Sequence, residues 1–373
     1  MEMVATCAFG IEAVLRREML THGFNMTKRT NGRIYFTGDA DALYKANMAL
    51  RTAERIHLVL SRARTETFDA LFEHVASVPW HQHLDDRGRY EVHAKSVASK
   101  LFSLRDIQAI AKKALIRKFQ EHRPGHVFSE TGSRYVLTVQ LKDDICEIWL
   151  DTSGEGLHKR GYRQAQGEAP IKETLGAALV LLSFYEKGRH LYDPFCGSGT
   201  IPIEAAMIAA NIAPNLDRGF AFQALPWYDS ETFSHVRRTL MKAIDMDGIT
   251  VIEASDIDDD VVKHAQDNAR RAGVDAFIRF ETVPFSERHF EARYGIVITN
   301  PPYALRLETD TAAETIYRSI AQMYRRHPDY SLYLLSAYPG IEKIMKKQAN
   351  KTRVIFNGNV KSRYYQYYGP RPQ

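Results

Sequence analysis

From residue 190 onward, short apolar segments alternate with amphipathic helical patterns, and this alternation constrains the fold more than any other feature of the sequence. The apolar segments are LYDPF, TVIEASD, YGIVITNPP and SLYLLSA, and a helical pattern follows each of them. Parallel strands need long crossover connections, usually helices, whereas antiparallel strands are joined by tight turns. The alternation therefore predicts βαβ units and an α/β fold, with a parallel sheet covered by helices on both faces.

The C-terminal segment departs from this alternation. The strand-like segments TRVIF and VKSRYYQYY flank Asn357-Gly358. An Asn-Gly pair readily adopts the positive φ angles of a tight hairpin turn, and it is the strongest short-range hairpin signal. The sequence therefore predicts that the sheet ends in an antiparallel hairpin.

The first 155 residues mix short helices and strands in an α+β pattern. NGRIYFTGD predicts a strand, residues 104–123 predict an amphipathic helix, and YVLTVQL and ICEIWLD predict a hairpin joined by a KDD turn. Residues 152–169 are rich in glycine and polar side chains, as is typical of a connection between domains. We therefore predict two domains, residues 1–155 and residues 156–373.

The stretch HLYDPFCGSGTIPIEAA (190–206) predicts a strand, a tight glycine turn and a helix. Gly197 and Gly199 lack Cβ atoms, so a ligand can approach their backbone closely, and the following helix presents free N–H groups. The stretch is not a nucleotide phosphate loop, since Pro202 occupies the position of the third glycine. Asp193, before the glycines, would repel a pyrophosphate but would accept a hydrogen bond from an ammonium group. These features favour S-adenosylmethionine, which carries no phosphate.

A second acid, Asp256, ends the next strand and is placed to bind ribose hydroxyls. Asp258 is better suited to capping the helix that follows. Taken singly, Asp193 and Asp256 are also explained as turn residues, but their order along one sheet favours a cofactor site. Cys196 is either a nucleophile or a small loop-lining residue, and the lack of a neighbouring base favours the second role.

In the stretch VITNPPY (297–303), an apolar strand is followed by two prolines, which cannot donate the hydrogen bonds that continue a sheet ladder. A plain strand-ending turn would explain the motif if it stood alone. However, we expect this strand to lie beside the one that leads into the glycine loop. There the Asn300 side-chain oxygen and the Pro301 carbonyl are suited to accept both hydrogens of a planar exocyclic amine, and Tyr303 offers a ring on which a base can stack.

The formal charge of +5 permits a nucleic-acid partner without requiring one. The segment from Lys343 to Gln373 contains no acid and interleaves basic residues with tyrosines, as suits phosphate contact and stacking. Charged residues there predicted to bind RNA are Lys346, Lys347, Lys351, Arg353, Lys361, Arg363 and Arg371, whereas some of Tyr364, Tyr365, Tyr367 and Tyr368 are expected in the core. A second basic cluster comprises His158, Lys159, Arg160 and Arg163.

The compartment is predicted from absences in the sequence. Three cysteines in no metal or redox spacing, no secretory signal, and no run of roughly 18 apolar residues make the cytoplasm the simplest prediction. No metal site is expected.

The order DPFCGSGT followed by NPPY resembles class I S-adenosylmethionine-dependent methyltransferases that act on planar amines. Together with APIKETLGAA (169–178) and DTSGEGLHKRGYR (151–163), these motifs resemble the THUMP-domain RNA guanine-N2 methyltransferases, most closely the branch acting on 23S ribosomal RNA. The resemblance implies a ferredoxin-like piece plus an RNA-binding THUMP domain in residues 1–155. It implies a Rossmann-like, seven-stranded methyltransferase domain in residues 156–373.

The resemblance also assigns site residues. It implies S-adenosylmethionine bound by Thr174, Asp193, Cys196, Gly197, Ser198, Gly199, Thr200, Asp256 and Ile257, and a target amine bound by Asn300, Pro301 and Tyr303. One departure is Pro284, which stands about where many relatives carry an acid near the adenine amine. The insertion RGFAFQALPWYD (218–229) is also expected in the family. Its Phe222 and Trp227 either line the substrate entrance or pack in a core.

Three alternatives remain open from the sequence. Transfer RNA is the other substrate that a THUMP domain serves. NPPY also suits the side-chain amide of a protein glutamine. A non-catalytic RNA-binding protein with an inactive cofactor pocket is conceivable because of Pro284.

Overall fold

The computed structural model describes residues 1–122, 130–163, 171–302, 310–358 and 360–370, without the side chains of residues 310–312. Its two sheets have seven strands each. The first sheet lies wholly within the N-terminal region and the second within the C-terminal region, so each predicted pattern produces its own sheet.

The N-terminal sheet has the order β2-β3-β1-β4-β7-β6-β5. Strands β5 and β6 run parallel, and the other neighbours are antiparallel. The predicted hairpin is confirmed, since β6 and β7 pair from Lys142↔Ile145 outward. The strands are β1 (Glu2–Thr6), β2 (Asn25–Thr30), β3 (Arg33–Thr37), β4 (Arg55–Arg64), β5 (Arg89–Val97), β6 (Arg134–Lys142) and β7 (Ile145–Asp151).

Five helices accompany this sheet and share one apolar core with it. Period-two alternation in the strands sends alternate side chains, such as Leu137, Val139 and Leu141 of β6, into that core. The helices are α1 (Glu12–Thr21), α2 (Ala40–Ala49), α3 (Phe68–Ala76), α4 (Trp80–His83) and α5 (Leu104–His122). The α+β architecture predicted for this region is thus confirmed.

The C-terminal sheet has the order β10-β9-β8-β11-β12-β14-β13. All neighbours from β10 to β12 are parallel, and β14 is antiparallel to both β12 and β13. The predicted terminal hairpin is confirmed. The strand that leads into the glycine loop lies beside the strand that leads into NPPY, as predicted. The strands are β8 (Leu191–Asp193), β9 (Ile252–Asp256), β10 (Ile278–Thr282), β11 (Ile296–Thr299), β12 (Ser331–Ser336), β13 (Lys351–Asn357) and β14 (Val360–Tyr367).

Helices cover both faces of this sheet through two apolar cores. One core contains residues of α6, α7 and α9, and the other contains residues of α10 and α11. As expected, Tyr364, Tyr365 and Tyr367 of the tail are buried, whereas Tyr368 is exposed. The helices are α6 (Glu173–Ser183), α7 (Thr200–Ala209), α8 (Ser230–Lys242), α9 (Asp259–Arg271), α10 (Asp310–Arg326) and α11 (Ile341–Met345).

The insertion between α7 and β9 packs on the N-terminal region. Phe222 is fully buried, and its ring stacks on Tyr44 of α2 with centroids 4.6 Å apart. The N–H of Asp229 donates to the Tyr44 hydroxyl at 3.1 Å, and Trp227 packs against the same core. Of the two roles predicted for these aromatic residues, core packing is the correct one.

Two residues of the basic cluster after the first sheet, Arg160 and Arg163, point into the protein, whereas Lys159 is exposed. The Arg160 side chain is only 1% exposed and pairs with the buried Glu204 of α7, with Nε and Oε1 3.4 Å apart. Arg163 donates to the carbonyl of Ile171 and to the hydroxyl of Thr200. These two members of the second basic cluster therefore bind carboxyl, hydroxyl and carbonyl oxygens that become their neighbours only in the folded chain.

Candidate active site

The site lies where adjacent parallel strands end together. Asp193 ends β8, Asp256 ends β9 and Asn300 follows β11, and these strands are neighbours in the order β9-β8-β11. The carboxyl ends of parallel strands share one edge of a sheet, and ligands of open α/β sheets bind at that edge. The sheet thus brings together three residues that are 107 positions apart along the chain from first to last, counted from Asp193 to Asn300.

The glycine loop between β8 and α7 is held against the end of β9. The N–H of Cys196 donates to the carbonyl of Ser255 at 2.9 Å, and the N–H of Gly197 donates to Asp256 Oδ2 at 3.0 Å. Gly199, with φ +81°, leads into α7. A Cβ added to Gly197 would meet no atom within 4 Å, so this backbone borders open space that a ligand can enter.

Asp193 carries an unsatisfied buried oxygen. Its Oδ1 accepts from the Thr299 hydroxyl at 2.8 Å and from the Phe195 N–H at 3.4 Å. Its Oδ2 is buried and has no partner among the described residues. Burial raises the pKa of Asp193 to about 7, reinforced by the charge of Asp256 and opposed by the two hydrogen bonds. Such an oxygen is a ready acceptor for a cationic ligand group.

A cavity of about 550 Å³ opens between the glycine loop and the end of β11. Four of its lining residues were predicted as site residues: Gly197, Asp256, Ile257 and Asn300. The exposed fraction of Ile257 is 73%, which is high for an aliphatic side chain and suits contact with a flat ligand. The sequence interpretation missed the other lining residues, which are Pro194, Phe195, Phe285, Ser286, Pro302, Thr315, Ile316 and Ser319.

After β10, where many relatives are expected to carry an acid, this chain has Pro284. Pro284 leads into a short 3₁₀ turn, Phe285–Glu287, and Phe285 and Ser286 line the cavity. The Phe285 ring stacks on Phe195, with centroids 5.1 Å apart and an interplanar angle of 26°. An aromatic wall thus stands beside the position where many relatives are expected to carry a carboxylate. Phe195 and Phe285 each directly follow a proline, but that signal is too common to identify them in advance.

The residues after β11 form the opposite side of the cavity. Asn300 and Pro302 line it, and Pro301 between them is buried. Asn300 Oδ1 is buried and finds no hydrogen-bond partner in the described parts of the chain. Tyr303, predicted to stack on the target base, lies outside the described residues.

The remaining predicted site residues support the loop. Thr200 is buried at the start of α7 and accepts from Arg163. Ser198 is within 3.4 Å of it, oxygen to oxygen, and the Ser198 carbonyl accepts from Asn268 at 2.9 Å. The Thr174 hydroxyl donates instead to Glu54 Oε1 at 2.7 Å, so its side chain joins the two domains.

Cys196 is buried, and burial followed by the charges of Asp193 and Asp256 raises the pKa of its thiol well above the ordinary value. A thiol held in its neutral form is a poor nucleophile. The structure therefore favours the predicted loop-lining role over the nucleophilic one.

Comparison with known families matches nearly the whole chain. The RlmL ferredoxin-like domain matches residues 2–57, the THUMP domain matches residues 65–151, and the RMKL-like methyltransferase domain matches residues 160–366. The chain belongs to the THUMP-domain-containing class I S-adenosylmethionine-dependent RNA methyltransferases. The resemblance seen in the sequence is confirmed at the level of this family.

Individual relatives span the full length of this methyltransferase. It is 40% identical over 374 aligned residues to the putative RNA methyltransferase YpsC of Bacillus subtilis (strain 168), covering 100% of this chain and 97% of the relative. A predicted N6-adenine-specific DNA methylase from Listeria monocytogenes is 40% identical with a TM-score of 0.93, covering 99% and 96% of the two chains. SMU.472, a putative methyltransferase complexed with SAH, is 36% identical with a TM-score of 0.92, covering 100% and 99%.

S-adenosylmethionine is the cofactor of the methyltransferase, and the site fits it. The unpartnered Oδ2 of Asp193 suits the ammonium group of the methionine moiety, and the open space above Gly197 admits its chain. In the described parts of the chain, no group of three or more His, Cys, Asp or Glu residues is arranged to hold a metal ion. None of the described helices is both long and apolar enough to cross a membrane.

Proposed function

We propose that this methyltransferase transfers a methyl group to the exocyclic N2 amine of a guanine in 23S ribosomal RNA. The observation that carries the proposal is Oδ1 of Asn300, which is buried on the wall of the cofactor cavity and has no hydrogen-bond partner among the described residues. A buried polar atom without a partner costs on the order of 1–3 kcal/mol, and a substrate N–H that fills the vacancy recovers it. The vacancy therefore supports an amine as the target group.

The proposed mechanism depends on position. The lone pair of an exocyclic amine is delocalised into the base, which makes the amine planar and weakly nucleophilic. Asn300 Oδ1 and the Pro301 carbonyl accept its two hydrogens and direct the nitrogen lone pair across the cavity toward Gly197. S-adenosylmethionine supplies a methyl group on a sulfonium centre, which becomes a neutral thioether when the nitrogen–carbon bond forms. The methylated amine then releases one proton, and because that cationic form is acidic, no strong general base is needed.

Orientation accounts for much of the expected rate, since correctly oriented reactants reach effective molarities of roughly 10⁵–10⁸ M. The aromatic wall of Phe195 and Phe285 excludes water from one side of the cavity. A guanine in a paired helix would have to be flipped into this cavity at a cost of about a few kcal/mol. A base that is already unpaired is therefore the preferred target.

RNA as the partner is supported by the THUMP domain and by the basic, acid-free tail. Ribosomal RNA is proposed over transfer RNA because of the match to the RlmL ferredoxin-like domain. The three free cysteines suit an enzyme that acts in the reducing cytoplasm, where ribosomal RNA is assembled. The planar amine of adenine is the nearest chemical competitor, so the test must identify the base.

The deciding experiment uses S-adenosylmethionine with a labelled methyl group. The enzyme is offered total ribosomal RNA and, separately, total transfer RNA from cells that lack the gene, and the RNA is digested to nucleosides. Label in N2-methylguanosine from the large ribosomal RNA is the expected result. Label in a guanosine of transfer RNA would support the proposed chemistry but would show that transfer RNA, not ribosomal RNA, is the substrate.

Two other outcomes would overturn the proposal. Label in N6-methyladenosine would show that the cavity accepts a different base. Label that enters protein, and survives thorough ribonuclease treatment of a ribosome extract, would show that a glutamine amide is the target.

A further inference from the structure

Two exposed phenylalanines meet at the junction of the two domains. Phe9, between β1 and α1, has an exposed fraction of 49%, and Phe356, near the end of β13, has an exposed fraction of 36%. Their ring centroids are 5.9 Å apart, and the rings lie edge to face. Large aromatic side chains left in solvent contribute little to folding, so a contiguous exposed pair indicates a surface that binds something else.

The pair borders a cavity of about 270 Å³. Ala8 and Leu175 add apolar surface to its wall, and Lys172 and Asn357 add polar groups. Because a water molecule takes about 30 Å³ of liquid, the cavity has room for roughly nine waters. One nucleobase, with about ten non-hydrogen atoms, is of comparable size.

This cavity is close to the cofactor loop. Lys172 precedes α6 and Leu175 lies in its first turn. In the same turn, a Cβ added to Gly176 would lie 2.8 Å from Thr200 Cγ2, so the start of α6 touches the start of α7 directly after the glycine loop. The wall of the cavity that the phenylalanine pair borders is therefore within one helical turn of α6 of the contact with the residue that follows the glycine loop.

Unpaired cations stand beside the aromatic pair. Lys361 is directly opposite Phe356 in the β13–β14 ladder, and Arg363 is opposite Val354, so both share the face of Phe356. Both are exposed, and in the described parts of the chain no carboxylate lies within ion-pair distance of either. The one acid on the cavity wall, Glu54, is neutralised by Lys172 at 3.1 Å. The surface is thus aromatic and positively charged.

We propose that Phe9 and Phe356 form a stacking site for one unpaired nucleotide of the RNA substrate, next to the nucleotide that enters the cofactor cavity. Aromatic rings bind the face of any base, and the neighbouring Lys361 and Arg363 bind the phosphates on either side. A base stacked here would hold the strand in an open, single-stranded form near the glycine loop. The inference rests on the proposed function, because it assumes that the substrate is RNA.

The test measures binding independently of methylation. The probe is a fluorescein-labelled, single-stranded RNA 12-mer of mixed sequence, titrated with the full-length protein. The variant Phe9→Ala/Phe356→Ala is expected to bind it roughly tenfold more weakly, as loss of one stacked base predicts. The matched control is Phe184→Ala, because the exposed Phe184 lies at the far end of α6, about 18 Å from Lys172.

A second variant tests stacking directly and does not depend on the loss of a side chain. Phe356→Trp is expected to retain RNA affinity, and its additional tryptophan fluorescence, measured against the wild type, should be quenched when the 12-mer binds. Absence of quenching, or equal affinity of Phe9→Ala/Phe356→Ala and Phe184→Ala, would overturn the stacking site. Quenching with no methyl transfer to any RNA by the wild type would instead refute the proposed function and leave the stacking site standing.

Discussion

The Thr299 hydroxyl donates a hydrogen bond of 2.8 Å to Oδ1 of Asp193, across the adjacent strands β8 and β11. Burial favours the neutral form of the Asp193 carboxyl, and this hydrogen bond is the largest of the interactions that favour its charged form. The bond thereby connects the strand that precedes NPPY to the residue that we propose binds the ammonium group of the cofactor.

The first prediction concerns pH. Only the carboxylate form of Asp193 attracts an ammonium group, and its pKa in the cofactor-free protein is about 7. The affinity for S-adenosylmethionine should therefore rise as the pH rises from 5.5, be half-way to its limit near pH 7, and level off at about pH 8. Titration calorimetry across this range measures it. Asp193→Asn should bind weakly and without this pH dependence, whereas Asp258→Asn, which retains a helix cap, should behave as the wild type.

The same carboxyl affects stability with the opposite sign. Its pKa in the folded state lies above the ordinary value of 3.8, so the folded protein holds the proton more tightly and loses stability as the pH rises from about 4 to 7. Asp193→Asn removes this loss. At pH 8 and without cofactor, its melting temperature should exceed that of the wild type by at least about 2 °C. A lower melting temperature would contradict the assignment.

A further prediction concerns removal of the Thr299 hydroxyl, which donates to Asp193. Thr299→Val keeps the shape of the side chain but loses the hydroxyl, so the pKa of Asp193 should rise further. Because a hydrogen bond to a charged group contributes about 1.5–3 kcal/mol, the affinity for S-adenosylmethionine at pH 7 should fall roughly tenfold. The loss should shrink at pH 8, and Thr299→Ser should restore the affinity at pH 7. A loss that does not change with pH would indicate a packing defect instead.

Asn300 tests the amine site. Asn300→Ala removes the unpartnered Oδ1 from the cavity wall and should lower the rate of methyl transfer by about a hundredfold or more, since orientation is lost. Affinity for S-adenosylmethionine, measured by calorimetry, should stay within about twofold. The matched control is Asn25→Ala, at an exposed edge strand of the other sheet. Wild-type turnover in Asn300→Ala would refute the mechanism.

Gly176 tests the contact between α6 and the loop. Because an added Cβ would lie 2.8 Å from Thr200 Cγ2, Gly176→Ala should displace the start of α7 and weaken cofactor binding several-fold, even though alanine favours helices. Thr200→Ser deletes that methyl group and keeps the hydroxyl that accepts from Arg163. The double variant Gly176→Ala/Thr200→Ser should therefore recover the affinity measured by calorimetry.

Arg160 tests its buried ion pair with Glu204 of α7. Arg160→Ala leaves Glu204 buried without its charged partner, a change that typically costs about 3–5 kcal/mol, and it should lower the urea midpoint clearly. Replacing both residues with methionine should recover part of the loss. The recovery is partial because Arg160 also donates to the carbonyls of Leu157 and Arg51. Equal midpoints for Arg160→Ala and the wild type would contradict this role.

The strands of the C-terminal sheet and their order around the site were predictable, because each depends on a local pattern. Apolar segments that alternate with helices leave a parallel sheet as the simplest arrangement, and LYDPF and YGIVITNPP each end at a breaker at the same edge. Asp256 and Asn300 reach one cavity for that reason.

Features that depend on distant partners were not predictable from such patterns. Arg160 and Arg163 have the composition of an RNA-binding patch, but contacts that include Glu204 and Thr200, about 40 positions away, turn them inward. Phe285 likewise becomes a cavity wall through its stacking on Phe195. Long-range contacts of this kind leave no periodic signal in the sequence.

Strand β4 links the ferredoxin-like region to the THUMP domain within one sheet. It runs from Arg55 to Arg64, across the boundary between the ferredoxin-like match, which ends at residue 57, and the THUMP match, which begins at residue 65. It pairs with β1 on one side and with β7 on the other. A hinge between the two modules would have to break the backbone hydrogen bonds of a continuous sheet. We therefore expect the two modules to keep a fixed relative position. We expect an RNA that contacts both modules to present its reactive base at a fixed distance from them, so that methyl transfer tolerates changes of sequence in between better than changes of length.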